Sequence, residues 1–357
     1  MAQSTARAVP VVPKRVTTTA TAKRQEAIAG LTFIAPAFLV LFVFLIVPLF
    51  VALFFSLTNW NGRTPLTNAN PYEFVGLRNY EQLLIDGRRV SDFYNALKNT
   101  VYYVIGVVPT QTAIALLLAS IVNQRWLRFR SFFRTAYYFP SITSSIVVSM
   151  IFLFMFSNTG PINQIFNTNI NWLSNNDGLI HNFLELFGVT KATVGEWAKA
   201  EIFRIELWDW ISGPSVSMLT IMVLAIWTTI GTLMVIYLSA LQNISGSVYE
   251  ASQVDGATAL QQFRFITLPL LRPTTFFVIT LGLIGTFQVF DQIYVLRNDN
   301  TRETTMSVAY LVYDFAFGSQ TDPRMDRATA TAITLFILIF IATIIQRRVT
   351  GGDRAEA

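Results

Sequence analysis

The sequence predicts an all-α, polytopic membrane protein of six transmembrane helices, and three observations carry that prediction. The chain of 357 residues is 53% hydrophobic but only 13% charged. A soluble chain carries roughly twice that share of charge, so most of this one does not face water. Six apolar stretches approach the roughly 20 residues of helix that a bilayer core about 30 Å thick demands. Lys and Arg gather in alternate connections, the bias that orients helices in a membrane. Cysteine is absent, which excludes a disulfide framework, a thiolate metal site and a cysteine nucleophile.

Residues 1–30 read as a disordered cytoplasmic tail, because Thr, Ala, Val and Pro dominate its first part and Arg7, Lys14, Arg15, Lys23 and Arg24 are spaced rather than clustered. The membrane domain is predicted over 31–347. Its first span, Leu31 to Leu57, contains no charge. A signal-peptide core is about 7–15 residues; this stretch is nearly twice that and reads as a retained helix. The next spans run about Thr100 to Val122, Phe133 to Phe156, Val216 to Leu241, Thr274 to Leu296 and Ala328 to Ile345. The second, third and fifth carry Thr, Ser, Gly and Gln, as helices facing other helices or a cavity do. Pro140 is expected to kink the third. Residues 348–357 form a cytoplasmic C-terminal tail.

Orientation follows from the basic residues. Arg125, Arg128, Arg130 and Arg134 share one connection with no acid, and Arg347, Arg348 and Arg354 follow the last span. The opposite side mixes signs, with Arg63, Arg78, Arg88 and Arg89 against Glu73, Glu81, Asp86 and Asp92. The long insert 157–215 there is net acidic through Asp177, Glu185, Glu196, Glu201, Glu206 and Asp209. Both termini are therefore predicted cytoplasmic, with segment 242–273 on the same side. The net charge of +5 thus faces the lipid bilayer and implies no nucleic acid. The insert is too long for a mere connection, and Trp172, Trp197, Trp208 and Trp210 predict a small packed cap. It reads either as a surface for an extracytoplasmic partner or as an inert lid.

Segment 242–273 is polar and lies between two apolar spans. Ser247 and Glu250 have the spacing of a capping box, as do Thr258 and Gln261. Gly256 permits a break between two short helices, and Pro269 and Pro273 are expected to end the second. Ala251, Val254, Ala257, Phe263 and Ile266 are available for burial, and small residues at 251, 256 and 257 would admit another protein closely. By chemistry alone this is either a connector on the membrane surface or a docking element.

The segment resembles the signature loop of binding-protein-dependent ABC importer permeases, read as E-A-A, three residues, G-A, then F, I and L-P. Glu250-Ala251, Gly256-Ala257, Phe263, Ile266 and Leu268-Pro269 match at that spacing, with Ser252 in place of the second Ala. The likeness extends to the sugar-type branch, its first membrane subunit for maltose or glycerol-3-phosphate. Asn59-Trp60 with Phe74 to Tyr80, Asn95 to Thr100, Gly160-Pro-Ile-Asn163, Asn171-Trp-Leu173, Phe287 to Asp291 and Ile293-Tyr294 carry it. One departure stands out: Arg297 to Thr301 reads RNDNT where the family has Thr-Gly-Gly-Pro.

The resemblance implies the type I ABC importer permease fold, in the cytoplasmic (inner) membrane of a prokaryote. It implies a second permease subunit, two ATPase subunits, an extracytoplasmic solute-binding protein and a small carbohydrate as cargo. The loop would be the docking helix on the ATPase, with Glu250, Ala251, Ser252, Asp255, Gly256, Ala257, Phe263, Leu268 and Pro269 making the coupling. Glu250 would meet a basic group there, and Gly256 would give the bend. ATP and Mg would sit on the ATPase and no cofactor on this chain. The sequence agrees, since it has no G-x-x-x-x-G-K-[ST] phosphate loop.

Asp291 is the acidic group singled out within a span. An unpaired carboxylate in lipid is costly, so it should face a cavity or a partner, unless it lies near the outer interface and caps locally. Gln288 and Asp291 are expected on one helix face beside Thr286, with Phe287, Phe290 and Tyr294 around them. Hydrogen-bonding groups among rings suit sugars, and Thr232 joins this substrate path, with Thr228 and Thr229 facing it or packing between helices. His181, the sole histidine, is expected to be solvated. No catalytic or metal-ligand spacing is present, so the chain is not expected to be an enzyme. The reading is the permease subunit of an ATP-driven sugar or polyol importer. Alternatives are a non-sugar cargo, or a secondary transporter or channel, which would show inverted repeats.

Overall fold

The computed structural model describes residues 19–85, 90–124, 126–318 and 323–350. Most of the predicted N-terminal tail, Asp86, Arg88, Arg89, Arg125 and the end of the C-terminal tail lie outside them. The chain divides into two units, Met1–Phe54 and Phe55–Ala357.

In the first unit, helix Thr19–Leu41 continues through a π-turn, Phe42–Ile46, into Val47–Ser56. The apolar part, Ala22–Ser56, has 35 residues, about 50 Å at 1.5 Å per residue. Residues 19–30, expected as disordered tail, are thus helical. Their Ala, Lys, Arg, Gln and Glu are good helix formers, and the apolar helix that follows extends them without a new nucleus.

The second unit is built on helix Val90–Val122, which begins well before the expected Thr100. Val216–Gln242 lies along it. The contact is made by small residues: Ala96, Ala115, Ala119 and Ala225 are buried, and a Cβ on Gly106 would stand 3.1 Å from Met222 Sδ. Helix Arg272–Phe287 packs on the same core helix. There Gly282 makes room for Gln111, whose Nε2 would lie 2.6 Å from an added Cβ. Close backbone approach at small residues is how membrane helices associate. Met325–Thr350 supplies the last span.

Two predicted spans are not continuous. The third is broken into Arg130–Ile142 and Ser145–Met155, bent by 96°. The break falls at Thr143 and Ser144, both extended (ψ 147° and 127°), and Pro140 stays inside the first limb. Proline disrupts the helix on its N-terminal side, but here the limb holds until the polar Thr-Ser-Ser run. The fifth ends at Phe287 rather than Leu296, and a separate helix, Asp291–Leu296, follows. Ser307 Oγ donates to the Val289 carbonyl at 2.7 Å, so the released backbone is satisfied from outside the helix. Ser307 also accepts from the Tyr310 amide at 3.0 Å. It thereby starts Val308–Phe317, an apolar helix too short to span and absent from the sequence expectation.

The insert 157–215 folds as short helices and one hairpin, Glu201–Ile202 with Ile205–Glu206. Asn163 is its hub: Oδ1 accepts from Trp172 Nε1 at 2.9 Å, and Nδ2 donates to the Ile170 carbonyl at 2.9 Å. Trp208 is buried and Trp210 Nε1 donates to the Ile202 carbonyl at 3.0 Å, whereas Trp197 is exposed. His181, expected to be solvated, instead stacks on Trp208 at 4.4 Å, with Nε2 3.0 Å from its carbonyl oxygen. The flat imidazole covers an indole face that water would otherwise wet.

Candidate functional site

The polar segment after Val216–Gln242 forms an elbow of two helical limbs. The first, Gly246–Val254, has Ser245 at its N-cap. The Ser247–Glu250 capping box does not form. The helix begins two residues too early, with Ser245 rather than Ser247 at the N-cap, and Ser247 Oγ instead pairs with Ser245 Oγ at 2.7 Å. Glu250 is exposed. Asp255 ends the limb, and Gly256 turns left-handed at φ +78°. The Gly256 amide donates to the Gln253 carbonyl at 3.0 Å and the Ala257 amide to the Ser252 carbonyl at 2.9 Å, the pattern that closes helices at glycine.

The second limb starts on a complete capping box. The Gln261 amide donates to Thr258 Oγ1 at 3.4 Å, and the Thr258 amide donates to Gln261 Oε1 at 2.8 Å. It then runs to Leu270 through a π-turn, Phe263–Thr267. Pro269, expected to end it, lies within it. The wide turn just ahead accommodates a residue that has no amide to give. The bend comes at Leu271, where the chain turns by 66° into Arg272–Phe287, with Pro273 in the opening turn. Leu271 is buried among Tyr237, Leu238, Leu241 and Val278, and Tyr237 Oη donates to Thr275 Oγ1 at 3.1 Å.

The limbs are tied by polar side chains. Gln262 Nε2 donates to Ser252 Oγ (2.8 Å) and the Tyr249 carbonyl (3.3 Å), and Tyr249 Oη pairs with Thr267 Oγ1 (2.9 Å). The expected burial of Ala251 and Val254 is not observed; both are exposed, Val254 by 89%. Ala257, Phe263, Ile266 and Pro269 are half-buried, while Asp255, Leu260, Phe265 and Leu268 are exposed. The tie between limbs occupies the inner side, so the alanine and valine are left on the open face. An apolar strip in water of this kind marks a contact surface.

Further along the unit, several elements surround a cavity of about 440 Å³. Gln111 comes from the core helix, Ser141 from the limb before the 96° break, and Thr228, Thr229 and Thr232 from Val216–Gln242. Thr286, Gln288, Phe290, Asp291 and Gln292 also line it, with Tyr103 and aliphatic side chains between the polar groups. Thr229 Oγ1 donates to Gln111 Oε1 at 2.7 Å, and the Thr232 amide to Ser141 Oγ at 3.3 Å. Gly231 permits that second contact, since a Cβ there would lie 2.2 Å from the Tyr137 carbonyl oxygen.

Of the sequence-predicted path, Thr232, Gln288 and Asp291 stand on the cavity wall. Gln288 and Asp291 do not share a helix face, because one ends a helix and the other begins the next. Phe287 is buried in the core, and Tyr294 lies off the cavity with 43% of its surface exposed. Gln111 and Gln292 were not anticipated. A glutamine within an apolar span was the available signal for Gln111. The wall offers amides, hydroxyls, one carboxylate and the rings of Tyr103 and Phe290, which can orient a compact ligand rich in hydroxyls. Among the described residues no cluster of His, Cys, Asp or Glu could hold a metal.

Long apolar helices, an exposed elbow and a cavity between helices with polar groups on its wall together define a membrane transport subunit. The chain belongs to the family of binding-protein-dependent transport system inner membrane components, whose profile matches residues 111–351. It is 32% identical to the arabinooligosaccharides transport system permease protein AraP of Halalkalibacterium halodurans, over 78% of this chain and 76% of that one. It is 28% identical to the lactose transport system permease protein LacF of Rhizobium radiobacter, over 91% and 94%. A crystal structure of a bacterial ABC transporter involved in the import of the acidic polysaccharide alginate has the same fold. The TM-score is 0.67 at 20% identity, covering 93% of this chain and 97% of that one. The same transporter in complex with an alginate pentasaccharide-bound periplasmic protein gives 0.68. The chain is thus an all-α, multi-pass inner-membrane protein with the type I importer permease fold. Among the described residues, four helices are long and apolar enough to cross, or up to six if each bent pair is one span.

Proposed function

We propose that this chain is the permease subunit of an ATP-driven importer that carries a sugar or related polyol by alternating access. Two families of observation support it: relatives named for lactose and arabinooligosaccharide transport, and a cavity walled by Thr232, Gln288, Asp291 and their hydroxyl and amide neighbours. The observation that carries the reading is the elbow, with its left-handed Gly256 and exposed face, followed directly by a helix that ends at the cavity.

In this reading Glu250, Ala251, Ser252, Asp255, Gly256, Ala257, Phe263, Leu268 and Pro269 form the docking element for one of two ATPase chains, which hold ATP and Mg. A second permease chain completes the pathway, and an extracytoplasmic solute-binding protein delivers the cargo. Both termini and the elbow are cytoplasmic. The test uses the natural absence of cysteine. A single Val254→Cys should be labelled by a membrane-impermeant maleimide only from the cytoplasmic side, and the tagged chain should co-purify an ATPase. Labelling from outside intact cells, or uptake that survives loss of every partner ATPase, overturns the proposal.

A further inference from the structure

Beyond the cavity wall the aromatic residues form a continuous row. Phe290 lines the cavity. Its ring stacks on Tyr294 (5.5 Å between centroids, 28° between planes) and meets Tyr313 at 5.1 Å. Tyr294 meets Tyr313 edge-on at 5.3 Å, and Tyr313 meets Phe317 at 5.5 Å. Tyr310 is buried beneath the row, 6.2 Å from both Phe290 and Tyr313, and fixes its base. The upper end is open: Tyr294 and Phe317 are 43% and 63% exposed.

A guanidinium sits beside these rings. Arg297 lies 4.9 Å from the centre of Tyr310 and 5.9 Å from that of Tyr294, within cation–π range. It is exposed, so its N–H groups remain at the edge of the row. Arg297 opens the RNDNT stretch where this chain parts from its family's usual turn, so it is a property of this sequence. The two halves of the row come from Asp291–Leu296 and Val308–Phe317. The contact between Ser307 and the Val289 carbonyl, 2.7 Å, holds these halves together.

The geometry points to a saccharide-binding track outside the cavity, running Phe290, Tyr294, Tyr313, Phe317 with Arg297 alongside, that holds the further units of an oligosaccharide whose leading unit occupies the cavity. Flat ring faces suit the C–H faces of sugars, while phenol hydroxyls and guanidinium N–H groups suit their hydroxyls. Tyr and Arg also serve at membrane–water interfaces; what sets this row apart is that its rings touch one another in sequence and run into the cavity wall at Phe290. Continuity with the cavity through Phe290 selects the same ligand for both. This inference rests on the reading of the cavity as a sugar site.

The test reconstitutes the importer with its co-purified partners in proteoliposomes and measures uptake of labelled arabinose, lactose, arabinotriose and raffinose. Tyr294→Ala and Phe317→Ala alter exposed rings. Each should lower trisaccharide uptake about fivefold more than arabinose uptake, the worth of one aromatic contact. Tyr294→Trp, which keeps a ring face, should restore it. Equal losses at every chain length, or no loss, overturn the track. Loss of the second permease from the purified assembly would show that the rings are a subunit interface, which also overturns it. Uptake of none of the four sugars by the unaltered importer defeats the sugar reading itself, a separate result from failure of the ring variants alone.

Discussion

Gln262 donates its side-chain amide to Ser252 Oγ at 2.8 Å, across the turn that Gly256 makes between the two limbs of the elbow. Ser252 is the position at which this chain departs from the family's alanine. The departure therefore has a partner, and the hydroxyl in turn donates to the Tyr249 carbonyl at 2.8 Å. A force on the first limb is passed to the second through this tie as well as through the backbone.

Gln262→Leu should loosen that transmission. A neutral hydrogen bond contributes about 0.5–1.5 kcal/mol, enough to soften the elbow without unfolding the spans. The expected outcome is more ATP hydrolysed per sugar imported, with ATPase still co-purifying. Ser252→Ala should act in the same direction, and the double variant should be no worse than Gln262→Leu alone. Fully additive effects would show that the two residues act independently.

Gly256 stands at φ +78°, with nothing within 4 Å of an added Cβ. The cost of replacing it is conformational, about 1–2 kcal/mol for an ordinary residue in the left-handed region. Coupled uptake should therefore rank Gly above Asn, then Ala, then Val, since Asn tolerates this conformation and β-branched residues do not. A Val variant as active as the parent would mean the turn can be remade without cost.

Gly231→Ala addresses the cavity from the other side. Its Cβ would fall 2.2 Å from the Tyr137 carbonyl oxygen and 2.8 Å from Ser141 Oγ, so the limb Arg130–Ile142 must move away. Forced overpacking costs about 1–3 kcal/mol. Thermal unfolding in detergent should shift downward, and uptake should fall with it. An unchanged melting temperature would contradict the close packing.

Asp291 is the one carboxylate on the cavity wall. A hydrogen bond to an ionised group contributes about 1.5–3 kcal/mol, so Asp291→Ala should lower the apparent affinity for imported sugar by roughly 10- to 100-fold. Asp291→Asn keeps an acceptor and should lose less. Equal affinity in all three forms would place Asp291 outside the ligand's reach.

The membrane spans and the elbow were legible because both are local. Apolar length marks a span, and the Thr258–Gln261 box and Gly256 need only neighbours within a few residues. What escaped depends on distant partners. The fifth span reads to Leu296 because apolar residues outnumber its Thr, Gln and Asp along that whole stretch, but Ser307 captures the Val289 carbonyl where the helix breaks. Gln288 and Asp291 therefore reach one cavity from two helices. Pro140 drew attention as the kink of the third span, whereas the polar residues at 143 and 144 carry the break. Phe287 was placed on the path by its neighbours in sequence, but its side chain turns to the core. The Ser247–Glu250 pair shows the limit of a local rule, since a helix that starts two residues early leaves the motif without a cap to make.

Leu271 has a mechanical consequence. It is a buried fulcrum between the elbow and Arg272–Phe287, a rod of 16 residues, about 24 Å long at 1.5 Å per residue. Rotation by about 10° at that pivot sweeps the far tip sideways by about 4 Å, by simple trigonometry on that length. The tip is where Gln288 stands, so a modest torque in the aqueous compartment suffices to redraw the walls around the cargo.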